Sequence, residues 1–270
     1  MGFNLHCSFK ISNYRFSSAK LKKDVRFAVL SDLHECYFGK DNERRVQAIR
    51  RVKPDFIAIA GDMVDAERHG NCEAVMEMLR SLAEEFPVFF GIGNHERFLL
   101  NENCRLPRQR ERFLKGLEGS ALRLLRIETV SLEEANIDIT GLDLPLWYYR
   151  KTYIELLDAE NLEVFTGKPN KDRFNILLAH DPDHFRAYAD WGADLVLSGH
   201  VHGGIIGLGN NRGLISPKFR FFPEYCAGKY VSEDTAMLVS RGLGNHTINI
   251  RFNNPPELLV VDLRKDVKQR

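Results

Sequence analysis

Five short apolar runs in this chain each end in a small cluster of Asp, Asn and His: FAVLSDLH (27–34), FIAIAGD (56–62), VFFGIGNHE (88–96), FNILLAHD (174–181) and DLVLSGHVHGG (194–204). Hard oxygen and imidazole donors with no cysteine among them are the ligand chemistry of a divalent Lewis-acid centre. Apolar runs of this length read as buried strands. Donors at the ends of successive strands fall where an open α/β sheet keeps its ligand site.

Asp32 and His34 are separated by one residue, as are His200 and His202. In an extended segment, residues i and i+2 project to one side, so each pair can serve one ion. Asp62 ends the second run, placed for its carboxylate to bridge two ions, and Asn94 offers an amide oxygen at the end of the third. His180 ends the fourth, and Gly199, Gly203 and Gly204 let the backbone fold closely around the last pair. Seven donors exceed what one tetrahedral zinc accepts. They suit two divalent ions about 3.5–4 Å apart, whose bridging water has its pKa lowered toward about 7. Mixed oxygen and nitrogen donors admit Mn, Fe, Zn, Co or Ni. His95, next to a ligand, is placed to protonate a departing oxygen.

The elements that must position these residues follow from the pattern between them. Two strands are expected within 8–31, then a helix at about 41–52 with Val46, Ile49 and Val52 on one face. Lys53-Pro54-Asp55 stops it, because the residue before proline avoids the α region. A second helix fits 70–85, and the β-α-β succession implies a parallel central region. Segments 122–130 and 135–142 alternate like antiparallel strands, helices are expected at about 149–160 and 182–189, and the last strands lie in TAMLVSRGL and ELLVVDLR. With no linker or repeat, the expectation is a single domain over 1–270, α/β in class, with two packed sheets and helices outside.

At these residues the chain resembles the calcineurin-like metallophosphoesterases, whose pattern is D-x-H, G-D-x-x, G-N-H-[DE], H and G-H-x-H. Here the blocks stand as Asp32-Leu33-His34, Gly61-Asp62-Met63-Val64-Asp65, Gly93-Asn94-His95-Glu96, His180 and Gly199-His200-Val201-His202. The N-terminal YRFSSAKLKKDVRFAVLSDLH, the stretch 215–230 and the C-terminal SRGLGNHTINIRFNNPPELLVVDL are similar to the bacterial branch of YkuE and YaeI. The resemblance implies a four-layer αββα sandwich of two mixed sheets with a dinuclear site. It implies that Asp32, His34 and His202 hold one metal, that Asn94, His180 and His200 hold the other, that Asp62 bridges, and that His95 is the acid. One departure is Glu35-Cys36-Tyr37 ahead of Gly39, where family members often place Gly soon after the first His.

Composition bounds the rest. The 270 residues carry a formal charge of +1, so nothing draws the chain to long nucleic acid or anionic lipid in general. Five scattered cysteines (Cys7, Cys36, Cys72, Cys104, Cys226) favour free thiols in a reducing compartment. No apolar stretch is long enough to cross a bilayer. The N-terminus has neither a signal peptide's apolar region nor Ser or Thr at the position myristoylation needs, so a cytoplasmic protein is expected.

Some residues have a plain reading beside a functional one. Cys36 reads as a small packed thiol, His184 as a surface or capping histidine, and Glu96 and Asp65 as groups orienting ligands by hydrogen bonds. The run Arg97, Arg105, Arg108, Arg110, Arg112 reads as a solvated helix balanced by Glu102 and Glu111, with Arg97 left open as a grip on a second phosphate. Lys218-Phe219-Arg220-Phe221-Phe222-Pro223 fits a structural flap or a contact with a base, a lipid or a membrane surface equally well. The function expected is a metal-dependent phosphoesterase cutting a phosphodiester or pyrophosphate-type bond of a small-molecule or phospholipid-type substrate by hydroxide attack. A phosphomonoesterase or protein phosphatase, and a non-catalytic metal-stabilised interaction module, stand as alternatives.

Overall fold

The computed structural model describes residues 9–35, 40–66, 72–149, 157–204, 206–209, 212–214, 222–244 and 251–266. Cys36, His6, His69, His246 and Lys218-Phe219-Arg220-Phe221 fall outside them.

In chain order the strands and helices are β1 (Lys10–Ser18), β2 (Val25–Leu30), α1 (Lys40–Val52), β3 (Phe56–Ala60), α2 (Cys72–Ala83) and β4 (Val88–Gly91). Then come α3 (Asn94–Leu100), α4 (Pro107–Leu117), β5 (Leu122–Leu125), β6 (Thr129–Leu132), β7 (Ile137–Gly141), a 3-10 turn (Leu146–Tyr149) and α5 (Ala159–Thr166). The C-terminal part holds β8 (Phe174–Leu178), α6 (Phe185–Trp191), β9 (Leu195–Ser198), β10 (Gly207–Gly209), β11 (Arg212–Gly213), β12 (Gly228–Ser232), β13 (Thr235–Val239) and β14 (Glu257–Lys265).

Two six-stranded sheets result, ordered β1-β14-β2-β3-β4-β5 and β12-β13-β9-β8-β7-β6. The centre of each is parallel: β2, β3, β4 and β5 run together in the first, and β13, β9, β8 and β7 in the second.

Strand composition explains the layering. In β3, Phe56, Ala58 and Ala60 join the core shared by the two sheets, while Ile57 and Ile59 face the helical layer with Val75, Met76, Leu79 and Phe113. In β8 and β9, Ile176, Leu178, Leu195 and Leu197 face the other sheet, and Leu177 and Val196 meet Phe185, Tyr188 and Trp191. Both faces of these strands are covered, which is why they read as continuous apolar runs. Each fully buried aliphatic or aromatic side chain contributes about 1.5–3 kcal/mol. Phe27 stacks on Phe56 at 4.6 Å between centroids, and Phe56 meets Phe89 edge-on at 5.5 Å. The αββα sandwich of two mixed sheets flanked by helices is as expected.

Two expectations change. Segment 122–130 is not one strand of a hairpin: Leu122–Leu125 runs parallel to β4 in the first sheet, and Thr129–Leu132 pairs antiparallel with β7 in the second. The crossing is pinned at Glu128, whose Oε2 accepts the amides of Arg126 and Ile127. The helix expected at 149–160 falls mostly on 150–156, outside the described residues; α5 opens at Ala159, capped by Asp158, which accepts the Asn161 amide at 2.7 Å. The charged stretch after residue 93 holds two helices, α3 and α4, with Pro107 opening the second.

Candidate metal centre

The seven predicted donors sit in loops at the C-terminal ends of β2, β3, β8 and β9 and at the start of α3 after β4. The pairs 32/34 and 200/202 are not extended. Asp32, His34, Asp62, His200 and His202 all adopt left-handed backbone, with φ of 51°, 47°, 54°, 67° and 52°. Such conformations cost on the order of 1–3 kcal/mol each and persist only where neighbours impose them. Here the loops lock one another: Asp32 N donates to Gly61 O, His34 N to Asp62 O, Leu243 N to Ser31 O and Gly244 N to Asp32 O. The i, i+2 residues still converge, through tight reversal of the chain rather than alternation along a strand.

Six of the seven side chains meet at one place. His34 Nε2 lies 2.9 Å from His202 Nε2, and His202 Nε2 is 3.2 Å from Asp32 Oδ1. His180 Nε2 is 2.9 Å from Asp62 Oδ2. Ligand atoms of Asp32, His34 and His202 lie within 4.8 Å of one another, as do those of Asp62, His180 and His200. The amide oxygen of Asn94 is buried and makes no hydrogen bond.

Surrounding hydrogen bonds set which atoms face inward. His180 Nδ1 is 2.6 Å from the Ala60 carbonyl, which only accepts, so Nδ1 carries a proton and Nε2 is the nitrogen that faces Asp62. Asp62 Oδ1 accepts the His95 amide at 3.0 Å, leaving Oδ2 toward the centre. Asp32 accepts the His200 amide through Oδ1 and the Ser31 hydroxyl through Oδ2. Glu96 is wholly buried and accepts four amides, those of Asp62, Met63, Val64 and Gly93. It therefore orients ligands through the backbone of the Asp62 loop, not through their side chains.

His95 packs edge-on against His34, with ring centroids 4.8 Å apart. Its Nδ1 accepts the Ala66 amide at 2.8 Å and stands 3.5 Å from Asp65 Oδ1. A ring proton is thus carried on Nε2.

The electrostatics demand positive charge. Burial pushes the Asp32 carboxyl up to about 6, helped by the Asp62 carboxylate and opposed by His180. Burial would also raise Asp62, but His180, then His95 and His34, hold it well below the ordinary carboxylate range. Burial would lower the histidines, yet Asp62 above all takes His180 up to about 10 and His95 up to about 9. Divalent ions fit this donor set. The inward-facing atoms are oxygen and imidazole nitrogen, they approach one another to 2.9 Å, and the Asn94 oxygen is otherwise orphaned.

A family model for calcineurin-like phosphoesterases matches residues 25–204, a span containing all seven donors and His95. The chain belongs to the calcineurin-like phosphoesterase family. A metallophosphoesterase of Aquifex aeolicus is 30% identical to it over 265 residues, covering 94% of this chain and 92% of its own. The metallophosphoesterase YkuE of Bacillus subtilis is 29% identical over 238 residues (87% of this chain, 77% of that one). The phosphodiesterase YaeI of Escherichia coli is 28% identical over 217 residues (78% and 71%). Membership makes this chain a metallophosphoesterase, a hydrolase of the metal-dependent kind. No helix among the described residues is long and apolar enough to cross a membrane.

Other residues take places the sequence did not indicate. The Tyr149 ring lies 5.4 Å from His200 and 6.3 Å from His180, with no motif to mark it. His184 is buried rather than on the surface, its Nδ1 accepting the Leu157 amide at 3.3 Å. Arg97 is paired with Asp143 at 2.5 Å, and Arg112 with Glu73 rather than with Glu102 or Glu111.

Proposed function

We propose that this phosphoesterase hydrolyses phosphodiesters of small molecules. In this reading Asp32, His34 and His202 hold one divalent ion, Asn94, His180 and His200 hold a second, and Asp62 serves both. Two such ions supply Lewis-acid charge that acidifies water toward a pKa of about 7 and neutralises the phosphoryl oxygens. Asp62 would face them with Oδ2, since its Oδ1 is tied to the His95 amide, and His180 would present Nε2, since Nδ1 is committed to Ala60.

The observation that carries the hydrolytic reading is the orientation of His95. Its Nδ1 is filled by the Ala66 amide, so the proton sits on Nε2, beside the His34 ring. A proton held there serves an alkoxide leaving group, which departs poorly on its own. The printed name of YaeI, a phosphodiesterase, supports the same class.

The test compares bis-p-nitrophenyl phosphate with p-nitrophenyl phosphate under added Mn²⁺. A higher kcat/KM for the diester is expected. A higher value for the monoester replaces the reading with a phosphomonoesterase, and turnover of neither with Mn²⁺, Fe²⁺, Zn²⁺, Co²⁺ or Ni²⁺ points to a metal-stabilised interaction module.

A further inference from the structure

A cavity of about 300 Å³ is lined by Arg97, Arg126, Ile127, Asp143 and Phe165 among others. Three elements that build the centre also flank it. Arg97 lies on α3, three residues after Asn94 and so on the same helical face. Asp143 follows β7, in the loop where the Leu142 amide bonds Leu178, two residues before His180. Pro145, also in the wall, leads into the turn that carries Tyr149 against His200.

The charges in this cavity cancel. Arg97 Nη1, Arg126 Nε and Arg126 Nη2 all converge on one oxygen, Asp143 Oδ2, at 2.5, 2.7 and 2.6 Å. Glu128 in the same wall is a carboxylate, held below its ordinary range because burial is outweighed by the amides of Arg126 and Ile127. Two guanidiniums against two carboxylates leave no net charge, so the cavity is not built for a second phosphate. Polarity persists without charge. The Arg97 and Arg126 side chains remain 29% and 43% exposed with N–H groups not committed to Asp143, and the exposed Glu128 carboxylate stands in the same wall. Donors and an acceptor beside the apolar faces of Phe165, Ile127 and Pro145 suit a ring that is hydroxylated at its edge and aliphatic on its face.

We infer that the Arg97–Asp143–Arg126 cavity is the subsite for the uncharged, hydroxyl-rich substituent of the phosphodiester, a glycosyl-type group. This rests on the diesterase reading and adds what that reading lacks, the recognition of what hangs from the phosphate. Arg97 and Arg126 donate to ring hydroxyls, and Phe165 packs on the ring face.

The test uses two esters with the same leaving group: p-nitrophenyl glucose-6-yl phosphate and p-nitrophenyl cyclohexylmethyl phosphate, on the full chain loaded with Mn²⁺. The glucosyl ester is expected to be favoured by about tenfold or more in kcat/KM, mainly through KM, since a site built for hydroxyls rejects the analogue lacking them. Arg126→Gln and Phe165→Ala should bring that ratio toward one, while Val164→Ser, an 82% exposed neighbour outside the wall, keeps it. Equal kcat/KM for the two esters in the unmodified protein, or a ratio that survives both cavity variants, overturns the assignment. If neither ester is hydrolysed, the diesterase reading fails by itself, and calorimetric binding of the two esters decides the subsite. Tighter binding of the glucosyl ester, lost in Arg126→Gln, upholds it, and equal binding overturns it.

Discussion

The Nε2 atoms of His34 and His202 stand 2.9 Å apart, with Asp32 Oδ1 3.2 Å from the second of them. These atoms come from loops after two different sheets, one following β2 and the other β9. Two ring nitrogens and a carboxylate oxygen this close form a set that a cation would hold together, and an ion bound there would tie the sheets to each other.

Stability should therefore depend on metal. An ion present at 100 times its Kd stabilises the folded state by about 2.7 kcal/mol. In a chain of this size each kcal/mol moves Tm by about 2–4 °C, so restoring Mn²⁺ after chelation should raise Tm on the order of 5–10 °C. His202→Ala should remove most of that rise. A Tm indifferent to chelator and Mn²⁺ would contradict a metal site between the sheets.

His95 should be separable from metal binding. Its backbone amide holds Asp62, and only its ring holds the transferable proton. His95→Ala keeps that amide, so metal content measured by elemental analysis should match the unmodified protein. The kcat for an alkyl diester should fall by about 10²–10⁴, the range of general acid catalysis. An ester with p-nitrophenol as leaving group should lose less, because that group departs without help. Equal losses on both esters would remove His95 from the acid role.

The strands and the donors were legible because their signals are local. FIAIA reads as a strand covered on both faces, and Ile57 and Ile59 do face helices while Phe56 and Ala58 face the other sheet. Donor types and order likewise survive in one dimension. What was not legible depends on partners remote in the chain. Nothing in LRLLRIETV tells that Leu124 and Val130 join different sheets, because both halves alternate and the crossing is fixed by Glu128 and Arg126 after folding. The left-handed backbone at five donors is equally hidden, since Asp and His carry no preference strong enough to announce it. Tyr149 reaches His200 only through the placing of its 3-10 turn.

Glu96 should matter more for folding than a residue that touches no ligand side chain would suggest. Its two oxygens take four buried amides spanning the Asp62 loop and the start of α3. Glu96→Ala strands those donors, a loss of about 3–5 kcal/mol given the cost of buried unsatisfied groups. Glu96→Gln sets a side-chain NH₂ against two amide donors, so it should not rescue stability. Denaturant unfolding checks both, and a Glu96→Ala midpoint equal to that of the unmodified protein would refute the anchoring role.

Gly199 tests the packing between the two ligand loops. A Cβ built there would overlap Ser31 Oγ and Asp32 Oδ2, the pair whose hydrogen bond sets the Asp32 carboxylate. The clash falls on a fully buried group with no room to turn away, since a Cβ at Gly242 would likewise meet Asp32 Cβ at 2.7 Å. Gly199→Ala should therefore push Asp32 out of line with His34 and His202 and weaken metal binding by about 10–100-fold, the size of effect typical when a ligand's support is lost. Mn²⁺ titration of the metal-free protein reads this directly. An unchanged Kd would mean that the loops after β2 and β9 can part without disturbing the Asp32 carboxylate.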